Sequence, residues 1–200
     1  MSFPVPLRIL LICLVIFCPA VDGTLEQNIL MAIVKNLEKQ LRGQYALAFS
    51  VEMEKCLKDS KYTGQDLITE EVKKELEKNN VYQGDHLLAA KPKKISTNNG
   101  LYTEHAEFRL QNFLKNILKK EDRCVIYFTV NSPCMEKCLK EDGRFNIKTS
   151  LQLLEQEKLK AFVFKKYWKD DKDPKAVIAR LKEIAPNLPY YQCDSECKAL

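Results

Sequence analysis

Residues Asn99–Leu139 read NGLYTEHAEFRLQNFLKNILKKEDRCVIYFTVNSPCMEKCL, and two short pieces of that stretch organise the rest. The first is His105-Ala106-Glu107. The second, beyond a run of apolar residues, is Pro133-Cys134-Met135-Glu136-Lys137-Cys138. Together they supply one imidazole, two thiolates and one free carboxylate. An imidazole and two thiolates fill three positions of a tetrahedral Zn²⁺ and leave the fourth open, the arrangement of a catalytic rather than a structural zinc. Glu107 then remains to move protons. Each piece alone is ordinary. His-x-Glu occurs on any polar helix, and two nearby cysteines in an oxidising compartment are more commonly halves of disulfides. Their combination is what carries weight, because the whole chain has only two histidines and one of them falls here. The other, His86, reads as structural.

The spacing predicts the local structure around both pieces. Thr103–Lys119 places Phe108, Leu110, Phe113, Leu114, Ile117 and Leu118 at helical intervals, with Thr103 as a plausible N-cap. His105 and Glu107 are two apart and diverge on a regular helix, so the metal is expected at the helix end, where first-turn side chains can converge. Cys124–Val130 is a β-branched and aromatic run that predicts a strand buried on both faces. Ser132-Pro133 then opens a short helix, ended by Gly143, with Cys134 and Cys138 on one face near its positive end.

Working outward, Leu25–Leu41 carries a helical apolar stripe that ends at Gly43. Tyr45–Met53 predicts a strand, Gln65–Lys78 a charged helix, and Asp85–Ala90 a second strand that completes a hairpin with a long insertion. Ser96–Gly100 is a loop by composition. Downstream, Thr149–Lys158 reads as helix, Lys160–Trp168 as strand, and Asp173-Pro174 starts a last helix to about Ala185. A short further strand fits within Pro189–Cys193. Strands alternating with helices imply an α/β layer architecture around a central sheet.

Residues 1–23 have the form of a signal peptide, with Arg8, an apolar run from Leu7 to Cys18, and Pro19 before a cleavage region near Gly23. The expected product is a single domain, 24–200, that is secreted and has no membrane segment. Loss of Arg8 and Asp22 leaves the net charge at +5, mildly basic and compatible with a polyanionic partner. Removal of Cys13 and Cys18 leaves six cysteines of the original eight. With Cys134 and Cys138 assigned to metal, Cys56, Cys124, Cys193 and Cys197 are disulfide candidates in any of three pairings. No N-glycosylation sequon is present.

The pattern His-x-Glu followed by Pro-Cys-x₃-Cys resembles the signature of the zinc-dependent cytidine deaminase superfamily. Ser132-Pro133-Cys134, and Lys165-Lys166-Tyr167-Trp168 followed by Asp173-Pro174, make the chain most similar to the AID/APOBEC branch. The signal segment points to the secreted AID/APOBEC-like deaminases of vertebrates. The resemblance covers about residues 95–185 and implies a cytidine-deaminase-like α/β/α fold, with a central mixed sheet of about four to five strands flanked by helices. It departs from the branch at Asn131, where a Trp is usual, and in a cysteine spacing of three residues rather than two.

The activity implied is hydrolytic conversion of cytosine to uracil, with one Zn²⁺ per chain held by His105, Cys134 and Cys138. Glu107 would carry a proton from the attacking water to the ring nitrogen and then to the leaving amine. By the same resemblance Asn98 or Asn99, Ser132, Tyr167 and Trp168 are substrate-binding candidates, and Tyr102 is a further aromatic able to stack a base. Lys91, Lys93, Lys94, Lys165, Lys166 and Lys169 are candidates to follow phosphates. Single-stranded DNA or RNA is the expected substrate, and host defence the role its location suggests. Two rivals stand beside it: a deaminase of free cytidine or other nucleosides, and a catalytically inactive, disulfide-bonded secreted binding protein with the same fold.

Overall fold

The structure is a computed structural model that describes residues 25–57, 59–98, 100–118 and 122–200. The expected signal segment, 1–23, and Asn99 lie outside the described residues. Among those described, nine strands and five α-helices are present. They are α1 (Gln27–Gln40), β1 (Ala46–Glu52), α2 (Glu70–Glu77), β2 (Tyr82–Gln83), β3 (Leu87–Ala90), β4 (Lys93–Thr97), β5 (Gly100–Glu104) and α3 (Ala106–Leu110). There follow β6 (Arg123–Asn131), α4 (Lys148–Glu155), β7 (Leu159–Lys166), α5 (Pro174–Ile184), β8 (Tyr190–Cys193) and β9 (Cys197–Ala199).

Seven strands form one mixed sheet in the order β2-β3-β1-β6-β7-β8-β9, and β4 and β5 form a separate hairpin. β1 runs antiparallel to β3 and β6, whereas β6, β7 and β8 are parallel. The parallel pairs require crossovers, which α4 and α5 supply. Alternation along each strand divides the core in two. Leu47, Phe49, Ile126, Phe128, Ala161 and Val163 face one side with α1 and α2. Ala46, Ala48, Val125, Tyr127, Phe162 and Phe164 face the other with α3, α4 and α5. The fold is therefore the expected α/β/α arrangement, with a sheet wider than the four to five strands anticipated. The additional strands β2 and β9 are two and three residues long, too short to show a period.

Three local expectations are corrected. Ser96–Gly100 is not simply a loop. Ser96, Thr97 and Gly100 belong to the β4–β5 hairpin, in which Ile95 pairs with Tyr102 and Thr97 with Gly100. β4 is largely exposed, so no buried face marked it in the sequence. The helix expected over Thr103–Lys119 is α3 alone, followed by a tighter 3₁₀ turn at Leu114–Asn116. Thr103 lies in β5, and the N-cap of α3 is His105 instead. Leu110, Leu114, Ile117 and Leu118 are still buried at helical intervals, but the poor helix formers Asn112, Phe113, Asn116 and Ile117 favour i→i−3 bonds there. Finally, Cys134–Cys138 forms a single hydrogen-bonded turn rather than a helix, with the Cys138 and Leu139 N–H groups both donating to the Cys134 carbonyl. Gly143 closes this loop by donating to the Lys140 carbonyl. A Cβ at Gly143 would sit 2.9 Å from the Lys137 carbonyl, which accounts for the glycine.

The disulfides are Cys56–Cys124 and Cys193–Cys197. The first spans 68 residues and fastens the insertion after β1 to β6, whereas the second spans four and staples the β8–β9 hairpin. On chain-entropy grounds the two differ, at about 4 kcal/mol for the long loop and about 2 kcal/mol for the short one. Replacing both Cys56 and Cys124 with Ser should therefore lower the urea midpoint clearly more than the same change at Cys193 and Cys197. Equal losses would contradict the entropic ranking.

Candidate functional site

The site stands at the carboxyl ends of the parallel strands β6 and β7, the end at which ligands bind in open α/β sheets. β6 hands over to Ser132, whose N–H donates to the Lys166 carbonyl at 2.7 Å and so carries the parallel ladder one residue past Asn131. The Ser132 hydroxyl in turn accepts from the Trp168 N–H at 2.9 Å. Two loops, one bearing the cysteines and one bearing the aromatics, are thus locked to each other. His105 arrives from a third direction, as the N-cap of α3 with extended backbone (φ −72°, ψ 151°). That conformation resolves the divergence expected of residues two apart on a helix, because His105 is outside the helix and Glu107 inside it.

His105, Cys134 and Cys138 are all buried, and their ligand atoms lie within 4.8 Å of one another. Cys134 Sγ and Cys138 Sγ are 3.6 Å apart, and the His105 Nδ1 lies 3.6 Å from the first and 3.2 Å from the second. Bond lengths of about 2.3 Å to sulfur and about 2.0–2.1 Å to nitrogen at tetrahedral angles require about 3.8 Å between sulfurs and about 3.6 Å between sulfur and nitrogen. The donor set therefore fits a tetrahedral ion of zinc's size. Neither Cys134 nor Cys138 takes part in a disulfide. The hydrogen bond from the Cys138 thiol pulls Cys134 down to about 4, with help from His105. Cys138 is pushed well up by the same sharing and by burial. One thiolate is thus already favoured, and a bound cation would displace the second proton.

Glu107 is 1 % exposed. Burial pushes its carboxyl above the usual carboxylate range, opposed by hydrogen bonding, including the Thr129 hydroxyl, and by the charge of His105. That hydroxyl donates to Oε1 at 2.8 Å, while Oε2 is buried and has no partner. An unpartnered buried carboxylate oxygen is costly and rare. The Tyr127 hydroxyl donates to the Glu107 carbonyl at 3.0 Å, fixing the backbone that carries this side chain. Thr129 and Tyr127 went unnoticed in the sequence. Their signal was present, since a hydroxyl-bearing residue twice interrupts an otherwise apolar, buried strand.

A cleft of about 380 Å³ opens beside the cluster, lined by His105, Cys134, Trp168, Asp171 and neighbouring residues. Trp168 packs on the His105 ring at 5.8 Å between centroids. Asp171 accepts from the Met135 N–H through both oxygens, at 3.3 and 3.4 Å, and so secures the cysteine turn. Trp168 therefore lines the cleft, whereas Ser132 is buried and is not among the lining residues. Tyr167 points away from it, edge-on to Phe164 at 5.1 Å. Tyr102 is half-buried against Phe145 and Arg144. Asn98 lies at the exposed hairpin tip, a strand's length before His105, and does not line the cleft. Asn131 is buried where β6 ends. Of the lysines, Lys165 is not free to follow phosphates. It is bound to Glu38 and lies 3.6 Å from Asp194. Lys93, Lys94, Lys166 and Lys169 are exposed, whereas Lys91 is half-buried.

A mixed sheet covered on both faces, with His-x-Glu opening one helix and two cysteines following the next strand, defines an AID/APOBEC-like deaminase scaffold. The family model described as Secreted Novel AID/APOBEC-like Deaminase 1 matches residues 27–199, and the chain belongs to that family. No curated protein matches it. The family description and the two disulfides accord with an extracellular location. Among the described residues no helix is long and apolar enough to cross a membrane.

Two outcomes test this geometry. Cys138→Ser should abolish stoichiometric zinc binding, measured by metal analysis after dialysis against a weak chelator, because it removes one of three donors. Thr129→Val should retain the metal yet lower turnover by about tenfold, roughly the 1.4 kcal/mol of one positioned hydrogen bond. Unchanged turnover would show that Oε1 needs no anchor.

Proposed function

We propose that the protein is a secreted, zinc-dependent deaminase that converts cytosine to uracil in single-stranded DNA or RNA, with release of ammonia. The observation that carries this reading is Glu107, whose buried carboxylate has one oxygen held by Thr129 and the other unengaged, beside three converging metal donors. His105, Cys134 and Cys138 would hold the zinc. When bound there, the ion supplies a Lewis acid with an open position, which makes a water acidic enough to react near neutral pH.

The chain's own residues do the remainder. Glu107 takes a proton from the water as it adds at C4 of cytosine and delivers it to N3. It then takes the second proton from the hydroxyl now on C4 and gives it to the amine, so that the C4–N bond breaks, C4=O forms and ammonia leaves. A carboxylate raised by burial suits both directions of transfer, since a proton carrier works best when its pKa approaches the working pH. Oε1, tied to Thr129, keeps Oε2 directed at one place through both transfers. Trp168, packed on His105, closes one wall of the cleft and offers an apolar face to a base. Single strands are favoured because a paired base must leave the stack before C4 can be reached. Secretion rests on the form of residues 1–23, the family description and the disulfides.

A second reading, deamination of free cytidine, is favoured by one observation. The cleft rim carries Glu136, Asp170, Asp171 and Asp173 against Lys137 and Lys172, a balance that does not attract phosphate.

The test uses the secreted protein and its Glu107→Ala variant, each analysed for zinc and incubated with a cytosine-bearing single-stranded oligonucleotide or with free cytidine. One zinc per chain in both, with uracil formed only by the parent, is the expected result. Uracil from cytidine but not from the oligonucleotide would select the second reading. Absence of both zinc and uracil would leave the fold as a binding scaffold.

A further inference from the structure

We propose that Cys134 and Cys138 are also a site of redox modification: hydrogen peroxide entering the cleft joins them as a disulfide, which closes the site to zinc until a thiol reductant reopens it. This rests on the metal-site reading above and adds its regulation. Cys56, Cys124, Cys193 and Cys197 are bridged, so the chain is built for a compartment in which thiol pairs are oxidised. Cys134 and Cys138 remain as thiols, with their Sγ atoms 3.6 Å apart. Bridging would draw them to about 2.05 Å. Cys193 and Cys197 have the same spacing in sequence and do form a bridge. Cys134–Cys138 is a single hydrogen-bonded turn and no helix, so it can tighten without unwinding a regular element.

Access gives the two sulfurs different parts. Cys134 lines the cleft, whereas Cys138 is fully buried and does not. The Cys134 sulfur therefore attacks a peroxide oxygen. An S–O bond forms, the O–O bond breaks, and the leaving hydroxide takes the thiol proton and departs as water. The Cys138 sulfur then attacks the sulfenic acid on Cys134. The S–S bond forms, the S–O bond breaks, and the second hydroxide leaves as water with the Cys138 proton. The sulfurs give up two electrons, which the peroxide oxygens accept, so two thiols and one hydrogen peroxide yield one disulfide and two waters. A second sulfur already in contact intercepts the sulfenic acid before another peroxide arrives, which holds the oxidation at a reversible stage. Bridge and metal exclude each other. The bridge leaves His105 as the one remaining donor of the three, while an ion held by both sulfurs takes up the lone pairs with which either would attack.

The test reads mass and metal uptake rather than turnover. The full secreted protein, either stripped by a chelator or loaded with zinc, is treated with hydrogen peroxide, quenched, alkylated and mapped by mass spectrometry, with melting temperature as the folding control. In the stripped protein the peptides bearing Cys134 and Cys138 should become linked with loss of two hydrogens. Zinc uptake should fall in the same proportion, and dithiothreitol should restore both. The loaded protein should react at least about 10-fold more slowly, because its sulfurs are engaged. Cys138→Ser should halt at a sulfenic acid on Cys134, captured by dimedone, and Cys134→Ser should react far more slowly than the parent. Two thiols still open to alkylation, oxidation to sulfinic acid without a bridge, or equal rates with and without zinc would each overturn the proposal. A reduced protein that takes up no zinc overturns the metal reading and this one with it, whereas zinc uptake without a bridge removes this one alone. The parent chain carries the decision, so a variant that fails to fold does not affect it.

Discussion

Two hydrogen bonds at Ser132 hold the site together. Its N–H extends the β6–β7 ladder through the Lys166 carbonyl, and its hydroxyl receives the Trp168 N–H. Without them the cysteine turn and the aromatic loop would be two independent connections leaving adjacent strands. With them, the position of Cys134 is set by the sheet itself, and Trp168 is set against His105. Asp171 adds a third fastening by accepting from Met135 within the turn. Rigid strands thus place loop residues with an accuracy that loops alone do not reach.

The site is assembled at a cost that the rest of the fold offsets. Glu107, Thr129, Asn131, Ser132 and His105 are polar and buried. Each would destabilise the domain if left without a partner, and nearly all are satisfied within the protein. The exception is Glu107 Oε2, the atom that the proposed mechanism uses to receive a proton. The two large apolar cores on either side of the sheet, together with the disulfide that ties the insertion to β6, supply the stability this placement requires. Arg109 contributes in the same way, since its guanidinium donates to the Lys91 and Asn79 carbonyls and joins α3 to the segments before it.

The cleft is lined by His105, the cysteine turn and the segment from Trp168 into α5, and the last two carry its acidic residues. The loop after β7 is acidic where it leads into α5, and Asp173 caps that helix by accepting from the Lys175 and Ala176 N–H groups.

Much of this was legible in the sequence, for reasons that are local. The helical stripe of α1, the alternation of β1 and β6, the Asp173-Pro174 helix start and the His-x-Glu and Pro-Cys-x₃-Cys pieces are each written in a few consecutive residues, so the α/β class and the group of side chains that could hold a metal ion were readable directly. Where local propensity was weak, tertiary packing decided. Exposed β4 became a strand only by pairing with β5, and the expected helix from Thr103 gave way to β5, a short α3 and a 3₁₀ turn. Which cysteines pair, whether Tyr102 and Tyr167 reach the cleft, that Lys165 is held by Glu38, and that Thr129 anchors Glu107 depend on residues far apart in the chain. Such contacts are fixed by the order and register of strands in the sheet, which no single stretch of sequence encodes.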